Sequence, residues 1–405
     1  MFSQIDEEMR RRHVQALMIL GETTLADPNL TYVVGGTLAR GGVYFKRVGH
    51  KPLLVTSILD LGTAEKWGRV KQVETYSEWG LEKLVRKYGR EEAYPRLLSE
   101  ICRKNGVNGK VTLYGRNDLA LGTYLIDKLR RFNVNVSVDK SPSILESARE
   151  TKDIHEIEKL RSVARKNGHV IETTTKTLGS LKRKRGRLAL KGKRATIGMI
   201  KSMISSELAA EGLGAPEGVI FAIGASSADP HNAGNPNYEV KEGKLIVFDI
   251  FPQAESGYWS DITRTYIIGR ASKKDKQLYD TVYEAQEVAM DWIRTGISGE
   301  QVMSKACDVI ERRGYRTIRD VFQGKTTGIS DGFIHSLGHG VGLTIGERPN
   351  LSFLSKQPLK TGQIVTVEPG VYLSGYGGVR IEDTVLITKS GIDILASVDK
   401  EFEIT

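Results

Sequence analysis

The spacing of hydrophobic and polar residues divides this chain of 405 residues into two parts. In the first part, short apolar runs alternate with amphipathic helical patterns, and this alternation is typical of an α/β domain. The runs that predict strands are VQALMIL, NLTYVVGG, KPLLVTSIL, KVTLYGR and VNVSV, and helices are predicted at 81–104 and 119–129. We therefore predict an α/β N-terminal domain over residues 1–150.

The pattern changes near residues 141–143, where a short Ser-Pro-Ser sequence precedes a charged helical segment. Four apolar residues of that segment are spaced for one buried helix face: Ile154, Ile157, Leu160 and Ala164. A second helix is predicted over 196–210, and glycine-bounded strands dominate beyond it. Because single hydrophobic cores usually stop growing at about 250–300 residues, we predict a second domain over residues 151–405.

The composition indicates a folded protein, with 40% apolar and 27% charged residues. The N-terminal segment has no small-residue cleavage site of the kind that ends a signal peptide. The sequence also has no apolar run of about eighteen residues, so we expect no membrane span and a cytoplasmic location. Cys102 and Cys307 lie in predicted helices of different domains, and we therefore expect buried free thiols and no disulfide.

The net charge of +10 is concentrated in one stretch. Residues Lys182–Arg194, KRKRGRLALKGKR, contain eight basic residues and no acid. This pattern favours a solvated surface loop. Contact with nucleic acid stays open as an alternative, because charge alone does not identify a partner.

Candidate chemistry begins in LIVFDIFPQAESGYWSDITRTYII. Two β-rich runs flank Ser256-Gly257 and predict an antiparallel pair, which places Asp249 and Asp261 on neighbouring strands. Strand alternation puts Thr263 and Thr265 on the same face as Asp261. A buried carboxylate needs a partner, so we expect either a metal cation or an arginine beside these acids.

A second acidic pair lies in QIVTVEPGVYLSGYGGVRIEDTVLIT, where Glu368 ends one β-rich run and Glu382 is embedded in another. Alternation places Arg380, Glu382 and Thr384 on one face. Taken singly, each acid is better explained as a salt-bridge or turn residue than as a metal ligand. Four acids at strand positions favour a common site.

Three histidines accompany these acids. His335 and His339 lie four residues apart in the glycine-rich run FIHSLGHGVGLTIGERPNLS, and His231 lies on a polar turn in ADPHNAGN. Four carboxylates and one imidazole form a hard ligand set that suits two divalent ions of Mn, Co, Fe or Zn, whereas a structural zinc site would use more sulfur. Two adjacent ions lower the pKa of water enough to provide a nucleophile at neutral pH, which indicates a hydrolase.

Four segments resemble, in type and in order, the metal-ligand motifs of the pita-bread metallopeptidase family: SDITRT, HSLGHGVGL, VTVEPGVY and GGVRIEDTVLIT. This family includes aminopeptidase P, prolidase, methionine aminopeptidase and creatinase. The segment DPNLTYVVG resembles the N-terminal domain of the prolidase and aminopeptidase P branch, which methionine aminopeptidases generally lack. The resemblance implies an α+β pita-bread catalytic domain, a homodimer, and metal-dependent cleavage of the peptide bond before a proline.

The resemblance also assigns roles to individual residues. Asp249 would bind one ion, Asp261 and Glu382 would bridge both, and His339 and Glu368 would complete the other. Glu368 would also carry the proton. The remaining roles concern substrate and support: His231 would donate to the developing charge, His335 would approach the residue after the cleaved bond, and Arg380 would either orient a metal-bound carboxylate or form a plain structural ion pair.

Two departures from the family pattern keep alternatives open. The interval from Asp249 to Asp261 is one residue longer than in many relatives, which a bulge or a longer turn would absorb. Gly346 replaces a histidine that helps to hold the substrate in relatives, and this loss predicts weaker catalysis. The alternatives are a creatinase-like or methionine-aminopeptidase-like hydrolase, and a binding protein with weak or no turnover that contacts nucleic acid through Lys182–Arg194.

Overall fold

The computed structural model describes residues 2–24, 26–35, 40–184 and 187–405. The chain divides into two compact units, Met1–Arg149 and Glu150–Thr405. Within the described ranges, no helix combines the length and the apolar character that crossing a membrane requires. Cys102 and Cys307 are both buried and free.

The described part of the first unit contains one mixed sheet and its helices. The strands are β1 Ala16–Gly21, β2 Gly42–Arg47, β3 Leu53–Thr56, β4 Gln72–Thr75, β5 Val111–Tyr114 and β6 Val136–Ser137. The helices are α1 Phe2–Arg11, α2 Pro28–Val34, α3 Leu61–Trp67, α4 Leu81–Lys104, α5 Leu119–Arg131 and α6 Ile144–Arg149. The strand order is β4-β3-β2-β1-β5-β6, and β1 pairs antiparallel with β2 and parallel with β5.

One strand prediction in this unit is wrong. The run NLTYVVGG forms helix α2, and its last residue, Gly36, lies outside the described residues. The Asp27 carboxylate accepts hydrogen bonds from the backbone N–H groups of Asn29 and Leu30, and Pro28 occupies the first helical turn. A capping aspartate followed by proline starts a helix more strongly than the β-branched residues favour a strand.

The second unit is larger and mixes long helices with short strands. Its first part contains α7 Ile154–Gly179, β7 Lys182–Lys184, β8 Arg187–Leu190, β9 Lys193–Arg194, α8 Ile197–Ala210, β10 Leu213–Gly214, β11 Val219–Ile223, the 3₁₀ turn Gly224–Ala228, β12 Leu245–Ile250, β13 Gln253–Ala254 and β14 Ile262–Ile268. Its second part contains α9 Lys273–Trp292, α10 Gly299–Arg312, α11 Arg319–Phe322, β15 Gly338–Val341, β16 Ile345–Leu351, β17 Ile364–Val367, β18 Gly370–Leu373, β19 Gly377–Arg380, β20 Asp383–Ile387, β21 Ile392–Ile394 and β22 Glu403–Ile404.

Two sheets form the framework of this unit, with strand orders β11-β12-β14-β22 and β16-β15-β17-β20-β21. The main core joins apolar residues of α9 and α10, such as Val282 and Ala306, to strand residues such as Val365 and Val385. Each of these four side chains is completely buried. Because two helices cover one face of the second sheet, only its other face is left for polar chemistry.

The basic stretch is not the surface loop that the sequence predicts. Its described residues form the three-stranded antiparallel sheet β7-β8-β9, and Arg185 and Gly186 lie outside the described residues. Leu188 is buried at the centre of this sheet, which explains why the flanking basic segments pair as strands. Two of the cations share one acidic partner, because the guanidinium groups of Arg187 and Arg194 lie 3.3 and 3.1 Å from the Glu239 carboxylate.

The predicted helices α7 and α8 are present, with one correction to the buried face of α7. Leu160 and Ala164 are buried as predicted, but Ile154 is 62% exposed. Ile157 is only partly buried, and Ile154 is the first residue of the helix, directly after the capping residue Asp153. Further along α7, the buried Asn167 amide donates to the Ile250 carbonyl, which fixes the end of β12.

Candidate metal centre

The two sheets of the second unit bring the predicted acids together at their strand ends. Asp249 is the fifth residue of β12 and pairs with Thr263 of β14, and Asp261 lies directly before β14. β12 and β14 are antiparallel, as predicted. The longer interval between the two acids is taken up by the short strand β13 and a turn in which Gly257 has a φ of +84°.

The other two acids approach from the second sheet. Glu368 follows β17 directly, and its backbone N–H donates to the Leu337 carbonyl. Glu382 lies between β19 and β20 and forms an isolated bridge with Thr263. The predicted single strand through Arg380 and Thr384 is therefore wrong, because the chain leaves the β18–β19 hairpin at Arg380 and enters the other sheet at Asp383. Glu382 sits at this crossing and faces β14.

Ligand atoms of Asp261, His339 and Glu382 all lie within 4.8 Å of one another. Nε2 of His339 is 3.6 Å from Oδ2 of Asp261 and 3.4 Å from Oε1 of Glu368. Two atoms that bind one divalent ion at about 2.0–2.2 Å lie roughly 3–3.5 Å apart, so these spacings suit shared coordination. Asp249 lines the same cavity, and the five predicted ligands therefore converge on one place.

The electrostatics of this cluster call for added positive charge. Burial raises the pKa values of Asp261 and Glu382 well above their usual range, and the neighbouring carboxylates raise them further. Burial also raises the pKa of Glu368 to about 8. Oδ1 of Asp249 is buried and has no hydrogen-bond partner in the described part of the chain. Four carboxylates, one histidine and an unpaired buried oxygen fit a pair of divalent ions.

Arg380 connects three parts of the site. Its Nη2 atom donates to Oδ2 of Asp249 at 2.6 Å, and its Nη1 atom donates to the Tyr372 hydroxyl at 2.8 Å and to the Pro230 carbonyl at 3.3 Å. The side chain is almost fully buried. Arg380 is therefore an ion-pair partner of Asp249, and its role as the orienting partner of a metal-bound carboxylate stays a prediction.

The Tyr372 hydroxyl carries this connection on to His335. Nδ1 of His335 lies 2.7 Å from the Ser336 carbonyl, so Nδ1 holds the ring proton and donates it there. Nε2 is then an acceptor for the Tyr372 hydroxyl at 2.9 Å. Burial lowers the pKa of His335 to about 3, so the ring is neutral at working pH. The sequence analysis missed Tyr372, because a tyrosine in a β-hairpin matches no ligand pattern and its spacing gives no signal.

His231 lies on the turn after the 3₁₀ segment and lines the same cavity as the acids. Its backbone N–H donates to the Asp229 carboxylate, and the preceding Pro230 carbonyl accepts from Arg380. The imidazole is exposed. A histidine on a turn that is anchored at its base is well placed to meet a ligand in the cavity.

His339 and Gly346 are neighbours across β15 and β16. Nδ1 of His339 lies 3.1 Å from the Gly340 carbonyl and 3.2 Å from the Gly346 N–H. In this structure the Gly346 N–H donates to Nδ1. If Nε2 held a metal, Nδ1 would carry the proton, donate to the Gly340 carbonyl and give up the hydrogen bond from Gly346. Gly340 pairs with Glu347 and Val341 pairs with Ile345, so Gly346 is the extra residue of a β-bulge, and its φ is +78°. Gly346 thus occupies a left-handed position that favours glycine.

The cavity that contains these residues has a volume of about 810 Å³. Apolar residues, including Val219, Ile220 and Phe251, form part of its wall, and Lys201 is a basic residue of the same lining. The volume suits a small organic molecule or a short peptide, because ligand sites usually occupy about 300–1,000 Å³. The arrangement therefore combines a metal centre with space for a substrate.

Comparison with known proteins agrees with this site. Residues 158–389 match the model of metallopeptidase family M24, which is more than half of the chain. Over 182 residues, the chain is 39% identical to a Xaa-Pro dipeptidase from Pyrococcus furiosus, a match that covers 45% of this chain and 48% of that protein. The chain thus spans about half the length of the curated relatives it matches.

Solved structures resemble the fold over nearly the whole chain. A prolidase from Pyrococcus horikoshii is 24% identical with a TM-score of 0.75, and the match covers 99% of each chain. An X-Pro aminopeptidase from Thermotoga maritima is 25% identical with a TM-score of 0.77, and the match covers 98% of this chain and 99% of the other. The predicted fold class, an α/β region followed by a pita-bread domain, is confirmed. The chain belongs to metallopeptidase family M24.

Proposed function

We propose that this protein is a dinuclear-metal-dependent peptidase that hydrolyses the peptide bond preceding proline. The observation that carries the proposal is the convergence of four carboxylates and His339 in one cavity. Similar proteins bear the names Xaa-Pro dipeptidase, prolidase and X-Pro aminopeptidase, and these names supply the substrate class.

In this proposal, the ligands of the two ions are Asp249, Asp261, His339, Glu368 and Glu382. Thr263 supports the Glu382 carboxylate by donating its hydroxyl proton at 2.7 Å, and Thr366 supports Glu368 at 3.1 Å. Such supporting hydrogen bonds fix the direction in which a carboxylate presents its free oxygen. The metals belong to the Mn, Co, Fe and Zn group, which this ligand set suits.

When bound, the ions supply Lewis acidity toward the substrate carbonyl and lower the pKa of a nucleophilic water. The protein's own groups do the rest. Glu368 accepts the proton of the attacking water and passes it to the departing proline nitrogen. His231 donates to the charge that develops on the carbonyl oxygen. His335 contacts the residue after the cleaved bond, and Arg380 keeps Asp249, Tyr372 and the His231 turn in register.

The test is hydrolysis of Xaa-Pro dipeptides and Xaa-Pro-Xaa peptides by metal-free protein reconstituted with Mn, Co or Zn. We expect turnover only after metal addition, little cleavage of the matching Xaa-Ala peptides, and loss of turnover in Asp261→Asn. Metal binding, measured by calorimetry, should weaken in the same variant. Metal-independent cleavage, or no cleavage of any proline peptide with any of these ions, would contradict the proposal.

The family resemblance of the sequence motifs also motivates a proposal for the wider organisation. We propose that residues 1–150 form the prolidase-like N-terminal domain and residues 151–405 the catalytic domain, and that the protein is a cytoplasmic homodimer. Sedimentation analysis tests the oligomeric state. Nucleic-acid contact through Lys182–Arg194 stays a prediction, and so do creatinase-like and methionine-aminopeptidase-like activities, which the same substrate screen would reveal.

A further inference from the structure

Helix α8 carries a lysine on its buried face. Ile197, Ile204 and Leu208 line this face, and each is at most 1% exposed. Lys201 lies four residues after Ile197 and three before Ile204, so it belongs to the same stripe. A charged residue in such a stripe costs stability unless its charge meets a partner, and position 201 would otherwise suit an apolar side chain.

Lys201 is one of the residues that line the cavity of the candidate metal centre, as are Asp261, His339 and Glu382. Burial lowers its pKa, and no neighbouring charge adds to or offsets this effect. Glu217 lines the same cavity but forms no ion pair with Lys201 in the described part of the chain. Lys201 is therefore a partly desolvated cation that faces the cavity without a protein counter-ion among the described residues.

The other fixed cation of this cavity is already engaged. Arg380 donates to Asp249, Tyr372, Thr263 and the Pro230 carbonyl, so it has little capacity left for a ligand. The proposed metal ions neutralise the four carboxylates. An anionic group that enters the cavity with the substrate would consequently find its free partner at Lys201.

A dipeptide ending in proline brings one such group, its C-terminal carboxylate, next to the bond that is cleaved. We propose that Lys201 binds this free carboxylate, so that the site prefers Xaa-Pro dipeptides over substrates whose carboxylate is blocked. This inference rests on the proposed function. It deepens that function by naming a residue outside the metal ligands that would recognise the substrate class.

The experiment compares Leu-Pro with Leu-Pro-amide, in which the carboxylate is replaced by a neutral group. The wild type should cleave the acid more efficiently. Lys201→Met should lower kcat/KM for the acid by about tenfold or more, the size expected for a lost charge-assisted hydrogen bond, and should leave the amide nearly unchanged. Lys201→Arg should retain the preference. Lys176→Met is the matched control, because Lys176 is an exposed lysine on α7 and the change removes the same charge.

Binding of proline and prolinamide, measured by calorimetry with manganese-loaded protein, gives a readout that does not need turnover. The wild type and Lys201→Arg should bind proline more tightly, and Lys201→Met should bind the two equally. An equal effect of Lys201→Met on acid and amide, or no effect on either, overturns the inference. If even the wild type cleaves neither substrate, the proposed function fails, and the calorimetric comparison alone decides the role of Lys201.

Discussion

Glu382 and Asp383 are adjacent carboxylates with opposite surroundings. Asp383 accepts from Arg264 at 2.6 Å, from Lys400 at 3.0 Å and from Gln286 at 3.2 Å, so two cations and an amide surround it. Glu382 accepts from the Thr263 hydroxyl and otherwise faces three more carboxylates, with Arg380 already bound to Asp249. One residue thus belongs to a neutralised ion pair and the next to an anionic cluster.

The two residues therefore differ in role: Asp383 stabilises the fold, whereas Glu382 belongs to the candidate metal site. Arg264 also donates to the backbone carbonyls of Thr263, Glu382, Val398 and Asp399, so its pair with Asp383 ties several segments together. A buried pair with every hydrogen bond made holds the fold. A buried carboxylate whose pKa is raised by burial and by like charges would be stabilised in its ionised form by a bound cation.

The largest effect is expected from Glu382→Gln. Loss of a proposed metal ligand should reduce activity on Xaa-Pro peptides by about 10⁴-fold, because metal assistance contributes several kcal/mol and each ~1.4 kcal/mol is tenfold in rate. The metal-free variant should be at least as stable as the metal-free wild type, because one buried like charge is removed. Steady-state kinetics and urea unfolding check the two parts. A large loss of unfolding free energy in the variant with activity intact would reverse the roles given to Glu382 and Asp383.

Asp383→Ala should do the opposite. Removing this carboxylate leaves the buried Arg264 without its acidic partner, whereas Lys400 keeps Glu287 at 3.1 Å, and the change should cost about 3–5 kcal/mol of unfolding free energy. The loss should appear equally with and without metal, as measured by urea unfolding. Asp399→Asn is the control: its carboxylate is exposed, and we expect a change below about 0.5 kcal/mol. A stable Asp383→Ala protein with weak metal binding would show that the comparison is wrong.

A third change probes the connection between Arg380 and His335. Tyr372→Phe removes the hydroxyl that joins them and should lower activity by about 10–100-fold, the range seen when a group that orients metal ligands is lost. Tyr376→Phe serves as the control. Tyr376 lies in the turn of the same hairpin, and its hydroxyl donates to Asp275 of α9 at 2.6 Å, so its loss should affect stability only. Equal activity losses in both variants would assign Tyr372 a purely structural role.

The smallest effect concerns pH. In the metal-free protein the pKa of Glu368 is about 8, above its ordinary value of 4.5, so the folded state binds more protons than the unfolded state between these values. Stability contributed by this group is therefore present below pH 4.5 and is lost as the pH rises through 8. Urea unfolding of chelator-treated protein should show the decline, and Glu368→Gln should reduce it. A metal-free stability that rises over this interval would contradict the assignment.

The sequence predicts the ligand types better than their neighbours. The five ligands stand in recognisable runs, and strand alternation correctly separates Thr263 from Arg264. Alternation fails at Glu382, because a chain that crosses between two sheets no longer follows a single strand's period. The same rules do not distinguish Glu382 from Asp383. The partners of Asp383 are Arg264, which lies 119 residues earlier in the chain, and Lys400, which lies in a later segment.

Two local signals in the sequence compete at the start of helix α2. Asp27-Pro28 marks a helix start, yet the apolar run that follows favours a strand on β-branched content alone. Lys201 and Tyr372 gave no signal of their own, because their significance depends on which cavity or partner the fold places beside them. Residues whose role depends on a single tertiary contact lie beyond pattern analysis.

The bulge at Gly346 makes any other side chain at this position unfavourable. A histidine at this position would have to adopt a left-handed backbone at a cost of about 1–2 kcal/mol. Straightening the bulge instead would shift β16 by one residue and turn Glu347 away from Lys152, with which it pairs at 2.7 Å. A side chain at this position therefore brings either backbone strain or the loss of the Lys152–Glu347 ion pair.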